Sequence, residues 1–314
     1  MAQADILTVT LNPAVDVATT VPQVIAGPKL RCGPPRFDPG GGGVNVARAV
    51  CKLGGAATAL VAVGGAMGDR LLALLAGEAV PALPVAVSGE TRQSFAVTDA
   101  STGGQFRFSV PGDVMTTPDA DALLSAIVAQ APPDGYLVIS GSVAPGLPDD
   151  FLGQIVAAIS AKVIVDTSGK PLDLLIRQPQ TPLHLLRIDQ AEAEQAAGHA
   201  MPALSDSVDY AAELVARGVA DHVITGHGAD GSVMVSNHDR FICHPPSVQE
   251  RSKIGAGDAF VGAATLALAR RSSPSEALQR GVAAASATVE TEGTALCQQS
   301  DAEVRFGECK VERI

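Results

Sequence analysis

Short runs of β-branched and other apolar residues alternate with longer Ala- and Leu-rich segments along almost the whole chain. That rhythm restricts the fold more than any other feature. Strand-like runs lie at 6–10, 58–63, 136–140, 162–166, 184–188, 222–225 and 232–235. Helical spacing marks 44–53, 69–79, 119–130, 150–160, 206–216, 258–270 and 274–290. Strand and helix in regular turn predict an α/β fold: a three-layer sandwich with a mostly parallel central sheet. In such sheets ligands lie beyond the carboxyl ends of the strands. Asn12 and Asp16, Ser140-Gly141-Ser142, Asp166, and the stretch from Arg187 to Glu192 all follow predicted strands.

Two stretches break the alternation. Residues 12–39 and 91–110 lack helical periodicity and contain short runs such as Lys29-Leu30-Arg31-Cys32 and Ser94-Phe95-Ala96-Val97. Phe106-Arg107-Phe108-Ser109-Val110 has a period of two after the turn Ser101-Thr102-Gly103-Gly104. They read as extra strands that pair into one small sheet, a lid over the strand ends. A small sheet with one apolar face is rarely stable alone, which predicts a second copy covering it. At 314 residues, the expectation is a single domain over 1–314, carrying this lid within it.

Gly255-Ala256-Gly257-Asp258 precedes an apolar run that reads as a helix. Small residues let the backbone turn tightly into the helix start, leaving its first N–H groups unpaired and facing an anion site. Asp258 beside such a site is placed to take a proton from an alcohol, which points to phosphoryl transfer onto a hydroxyl. A plain glycine turn with an Asp cap is the competing account. Pro39-Gly40-Gly41-Gly42-Gly43-Val44-Asn45 likewise leads into a helix. Its glycines permit close approach of the backbone to a ligand, and Asn45 can bond sugar hydroxyls; no GK[ST] follows, so it is not a Walker loop. A hinge is the alternative, but a hinge rarely needs four glycines leading straight into a helix.

Gly226-His227-Gly228-Ala229-Asp230-Gly231 fits GxGxxG, yet the residues after it, Ser232-Val233-Met234-Val235, read as a strand. The dinucleotide fingerprint must open a helix, so this is a strand–turn–strand and an oxidoreductase is disfavoured. Lys29, Arg31 and Arg92 put three cations on the lid segments, suited to a phosphate-bearing substrate if the lid closes over Asp258, and otherwise simply solvated.

Composition removes other classes of function. A formal charge of −11 and 3% aromatic residues without Trp argue against nucleic acid and anionic membrane as partners. Five scattered cysteines without a CxxC pair, and histidines without metal-ligand spacing, fit reduced thiols rather than disulfides or zinc. The start lacks a basic signal-peptide region, and no apolar run reaches the roughly 18 residues a bilayer span needs. The expectation is a cytoplasmic protein.

Taken in order, these motifs resemble the PfkB (ribokinase-like) family of carbohydrate kinases over essentially the whole chain. The opening Thr10-Leu11-Asn12-Pro13-Ala14-Val15-Asp16 is similar to the hexose-phosphate branch. Gly27-Pro28-Lys29-Leu30-Arg31-Cys32, the run from Pro39 to Arg48, Thr91-Arg92-Gln93 and Glu292-Gly293-Thr294-Ala295-Leu296-Cys297 resemble members acting on fructose 6-phosphate. Branches acting on fructose 1-phosphate or tagatose 6-phosphate usually carry a Lys where this chain has Gly42. The resemblance implies ATP-dependent phosphorylation of a hexose phosphate, first of all fructose 6-phosphate, with Mg²⁺, ATP as co-substrate, and a monovalent cation such as K⁺ as a further candidate. Fructose 1-phosphate and tagatose 6-phosphate are the alternative acceptors, and a non-catalytic sugar-phosphate sensor is a third reading.

The resemblance also implies roles. Asp258 is the base, and Gly255, Ala256 and Gly257 the anion hole. Asp16, Gly41, Gly42 and Asn45 hold the sugar, with Ser140 at its end, and Lys29, Arg31 and Arg92 hold its phosphate, one of them from a neighbouring subunit in a homodimer clasped through the lids. Gly228 and Gly231 border the nucleotide. The departures lie on the nucleotide side. Arg187-Ile188-Asp189-Gln190-Ala191-Glu192 stands where the family shows Lys-Pro-Asn-x-x-Glu, Gly226 replaces a Ser, and Lys253 replaces a Thr. Glu192 remains for the Mg²⁺–water network, Asp189 is a candidate metal ligand, and Lys253 either offsets the charge of Asp189 or is neutral change.

Overall fold

Side-chain alternation in the strands generates the layers. In the computed structural model, which describes residues 3–314, Ala59, Val61 and Val63 of one strand enter one core while Leu60 and Ala62 enter the other. Tyr136 and Val138 against Leu137 and Ile139 repeat this split. Strands apolar on both faces can only be interior strands with helices on each side.

The chain begins β1 (Ile6–Thr10), β2 (Ala14–Val21), β3 (Arg36–Gly40), α1 (Gly42–Lys52), β4 (Thr58–Val63), α2 (Gly65–Gly77), β5 (Ala82–Ala86), β6 (Arg92–Asp99) and β7 (Gln105–Ser109). It continues through α3 (Thr117–Gln130), β8 (Tyr136–Ser140), α4 (Phe151–Ala158), β9 (Lys162–Asp166), α5 (Gly169–Arg177), β10 (Leu183–Asp189), α6 (Gln190–Ala197), α7 (Leu204–Ala216) and β11 (Ala220–Gly226). The last elements are β12 (Ser232–Ser236), β13 (Arg240–His244), α8 (Ala256–Ala269), α9 (Pro274–Val289), α10 (Gln299–Glu308) and β14 (Lys310–Arg313).

A ten-stranded sheet has the order β14-β13-β12-β11-β10-β9-β8-β1-β4-β5. Its pairs are parallel from β11 to β5, and β12, β13 and β14 add an antiparallel edge. Helices α1, α2, α8 and α9 contribute buried residues to one face, and α3 to α7 to the other. Strand β1 lies between β8 and β4, and the later strands are added first on one side of it (β4, β5) and then on the other (β8 onward). That reversal opens a crevice at the strand ends, where such folds bind ligands. No helix among the described residues is long and apolar enough to cross a membrane.

The second sheet, β3-β2-β6-β7, joins the two stretches that broke the alternation. Strands β2 and β6 run parallel, and β3 and β7 flank them antiparallel. One expected run does not form a strand: Lys29-Leu30-Arg31-Cys32 lies in irregular chain between β2 and β3. Pro28, Pro34 and Pro35 surround it and carry no N–H for a ladder. Asp16, Asp38, Ser94 and Ser109 line up across this sheet on one face, while Val17, Phe37, Phe95 and Phe108 line up on the opposite one. The lid therefore has a polar face and an apolar face.

Candidate active site

Asp258 is in the first turn of α8, whose N-cap Gly255 has φ 78° and no side-chain cap. A left-handed cap favours glycine, and a Cβ there would also stand 2.6 Å from Leu296 Cδ2. With no capping side chain, the N–H groups of Gly257 and Asp258 are left to an outside acceptor, while Ala256 N donates at 3.4 Å to the Lys253 carbonyl, and the helix dipole adds positive potential. The Arg187 guanidinium flanks this helix start: a Cβ on Gly257 would lie 3.3 Å from its Nη1.

The glycine run serves close packing. Gly41 has φ 107°, and a Cβ on Gly42 would fall 2.4 Å from both Gly141 N and Ser140 Oγ. Helix α1 thus starts in backbone contact with the end of β8. From its first turn, Asn45 Nδ2 donates to Asp258 Oδ2 at 2.9 Å. Ser140 Oγ, at the end of β8, lies 3.3 Å from Asp166 Oδ2 and 3.5 Å from Asp258 Oδ1. Asp166, at the end of β9, accepts from Arg187 Nη1 at 3.0 Å. Residues from α1, β8, β9, β10 and α8 thus meet around one carboxylate.

That carboxylate is not an ordinary surface acid. Burial, and then the negative charge of Asp166, push the Asp258 pKa up to about 7, against the Asn45 hydrogen bond and the charge of Arg187. A base with a pKa near neutrality suits proton abstraction from an alcohol. Asp16, on the polar lid face, is raised to about 6 by burial, opposed first by Arg92. Its carboxylate rests on Gly40, where a Cβ would come within 2.3 Å.

The phosphate cations divide into two groups. Arg92 stands at the base of the lid, donating to the Asn12 carbonyl at 3.1 Å and to Ser109 Oγ and Val110 O at 3.2 and 3.1 Å. Lys29 is exposed and Arg31 is exposed, and neither makes a hydrogen bond or ion pair among the described residues.

On the nucleotide side, Asp189 and Glu192 form a capping box at the start of α6: Glu192 N donates to Asp189 Oδ1 and Asp189 N to Glu192 Oε2, both at 2.8 Å. Each carboxylate has one oxygen outside this box. Burial raises Glu192 to about 7, against the hydrogen bond from the Asp189 N–H and helped by the Asp189 charge. The described residues contain no cluster of three or more metal-ligating side chains. This donor set fits Mg²⁺ that arrives on a nucleotide, because Mg²⁺ keeps several waters and takes few protein ligands. Gly226, Gly228 and Gly231 lie in a strand–turn–strand: β11 and β12 pair antiparallel from Gly226↔Ser232, with a 3₁₀ turn at Gly228–Asp230 between them. No helix follows the glycines, in keeping with the sequence argument against a dinucleotide fold. Lys253 is exposed and pairs with Glu250 at 3.4 Å.

Two residues outside the predicted set belong here. Asp166 supplies the charge that helps raise Asp258, and Arg48 holds Asn45 by donating to its Oδ1 at 2.9 Å. The first was visible as an acid at a strand end. The second sits in a helical run that reads as packing.

A mostly parallel α/β sheet that offers an aspartate in an uncapped helix start, beneath a small β lid, defines the ribokinase-like sugar kinases as a class. The chain belongs to the pfkB family of carbohydrate kinases, whose family model matches residues 9–301. It is 38% identical over 299 residues to ATP-dependent 6-phosphofructokinase isozyme 2 of Escherichia coli, covering 94% of this chain and 96% of that protein. The crystal structure of Escherichia coli phosphofructokinase-2 with fructose-6-phosphate superposes with a TM-score of 0.90 at 36% identity, covering 97% of this chain and 99% of that one. The same enzyme in complex with potassium gives 0.92 at 37%, with the same coverage. A 1-phosphofructokinase of Xanthomonas campestris is more distant, at 30% over 270 residues and 83% of each chain.

Proposed function

We propose that this protein transfers the γ-phosphoryl group of ATP to the C1 hydroxyl of fructose 6-phosphate, giving fructose 1,6-bisphosphate and ADP. The observation that carries this reading is the Asp258 carboxylate, buried to a near-neutral pKa in an uncapped helix start and bonded to Asn45. Asp258 accepts the hydroxyl proton as the sugar oxygen forms its bond to Pγ and the bond from Pγ to the ADP oxygen breaks. The helix start formed by Gly255, Ala256 and Gly257, with Arg187 beside it, is proposed to hold the transferring charge. Asp16, Gly41, Gly42, Asn45 and Ser140 are proposed to bind the sugar, and Arg92 its phosphate. Arg187, Gly226, Gly228 and Gly231 are assigned to the nucleotide, with Lys253 available if it swings inward.

Mg²⁺ on the donor phosphates supplies charge neutralisation, and Glu192, through water, and Asp189 are the residues proposed to hold it. A monovalent cation is a further proposal, supported by the potassium complex of the Escherichia coli enzyme. We read residues 1–314 as one kinase domain whose lid is β2, β3, β6 and β7. The reading includes a homodimer in which the partner covers the apolar lid face and its lid contributes Lys29 or Arg31 to the phosphate. MgATP as donor and five free cysteines fit a cytoplasmic setting.

Release of ADP is measured with MgATP and fructose 6-phosphate, fructose 1-phosphate or tagatose 6-phosphate in parallel. Selective turnover of fructose 6-phosphate is expected. Preference for either other sugar would overturn the assigned acceptor, and sugar-phosphate binding without any turnover would identify a sensor.

A further inference from the structure

Arg48 is the most fully engaged charged side chain near the site. It is 2% exposed, yet no substrate role is available to it, because every arm of its guanidinium is occupied. Nε donates to Glu78 Oε2 at 3.0 Å and Nη2 to Glu78 Oε1 at 2.6 Å. Nη1 donates to Pro39 O at 3.1 Å and to Asn45 Oδ1 at 2.9 Å. Asn45 and Arg48 are three residues apart on α1, so they share a helix face. Glu78 caps the far end of α2, and Lys52, one turn beyond Arg48, also reaches it at 3.5 Å.

The amide of Asn45 has two chemically different ends, and only one orientation puts a donor on Asp258. Arg48 has donors alone, so the Asn45 end that faces it must be the carbonyl oxygen. The NH₂ end is thereby directed at Asp258 Oδ2. We infer that the Arg48–Glu78 pair is a positioning device for the base: it fixes the Asn45 amide so that its N–H supports ionised Asp258. This inference rests on the proposed role of Asp258, and it names residues that do not touch substrate.

The other groups facing Asp258 are Asp166 on β9, Arg187 on β10, Ser140 on β8 and Asp16 on the lid. Asp166 and Asp16 disfavour its charge, and the Asn45 hydrogen bond and the Arg187 charge favour it. When Arg48 is lost, the amide is free to rotate, a donor bond to the ionised form weakens, and the midpoint rises.

The test uses the full chain, with aspartate-selective ¹³Cγ labelling and the Asp258 signal assigned by its loss in Asp258→Asn. Arg48→Met/Glu78→Gln removes both charges together, which avoids leaving one buried and unpaired. In this variant the Asp258 midpoint is expected to rise by about 0.5–1 pH unit. The acid limb of kcat should move with it. Arg48→Lys keeps a charge beside Glu78 but has no fork to span Pro39, Asn45 and Glu78, so it should show the same rise, and it carries the test if the double variant does not fold. An unchanged midpoint in a folded variant overturns the positioning role. If the wild-type protein phosphorylates no hexose phosphate, the proposed function fails, whereas the titration still decides this inference.

Discussion

At the scale of single residues, the site holds a conflict between stability and chemistry. Asp258 is raised to about 7 chiefly by burial, while an unfolded chain would titrate it near 3.9. Between these values the native state binds the extra proton, so this group's contribution to stability falls as pH rises from about 4 to 7 and stays lowered above. Asp258→Asn should therefore raise the midpoint of thermal unfolding at pH 8 relative to wild type, by an amount worth up to about 4 kcal/mol, and leave it nearly unchanged at pH 4. The same substitution should lower kcat by about 10²–10⁴-fold. Calorimetry at the two pH values and steady-state kinetics check both parts, and an equally active Asn variant would remove Asp258 from the role of base. Wild-type turnover should climb between pH 6 and 8 as the carboxyl ionises. The tetrapeptide from Gly255 to Asp258 was readable because its parts are contiguous. Arg48 was not, because its partners Pro39, Asn45 and Glu78 come together only when α1 lies against β3 and α2.

At the scale of elements, the decisive contact is the start of α1 against the end of β8. A Cβ on Gly42 meets the Gly141 nitrogen at 2.4 Å, and backbone cannot rotate away as a side chain can. Gly42→Ala should push α1 outward and carry Asn45 with it. An expected cost of about 1–3 kcal/mol in stability comes from overpacking. The larger effect should be on kcat, about 10²-fold, from misplacing the group that holds the base. Chemical denaturation together with kinetics separates the two, and unchanged kcat in Gly42→Ala would show that the close approach is not needed. Interior strands were legible to the residue, as in β1, β4, β8 and β9, because both faces are apolar and turns bound them. Edge elements were not. Strand β5 contains Pro84, tolerated because it pairs only with β4, and β13 and β14 carry charged residues at the antiparallel edge. Helix α6 was hidden because Asp189 and Glu192, read as residues for Mg²⁺, also cap it.

For the whole molecule, the lid sets the expected assembly. Part of its apolar face packs near α2, where Arg70 lies 3.9 Å above the Phe37 ring. The rest is open: Phe95, Phe106, Phe108 and Val110 are 39–56% exposed, with Phe95↔Phe108 and Val97↔Phe106 adjacent in register. A contiguous aromatic patch on a thin sheet is the mark of an interface. Phe95→Asp/Phe108→Asp should sediment as a monomer where the wild type sediments as a dimer. In the proposed dimer a partner cation holds the phosphate, so the variant's KM for fructose 6-phosphate should rise at least about tenfold. An unchanged sedimentation profile would show that the subunits meet elsewhere.

What the sequence determined alone was everything set by short-range periodicity and composition. The α/β rhythm, the glycine-led helix starts, the lid segments and the turn that excludes a dinucleotide site all depend on neighbours a few residues apart. The tertiary structure alone decided which of these parts meet. Asn45 and Asp258 are 213 residues apart and share one hydrogen bond, and Arg187 reaches Asp166 across two parallel strands. It also left Lys29 and Arg31 exposed, with no hydrogen bond or ion pair among the described residues. The physical reason is that hydrogen bonding and desolvation act over a few ångströms of space, whereas a sequence orders its residues only along the chain.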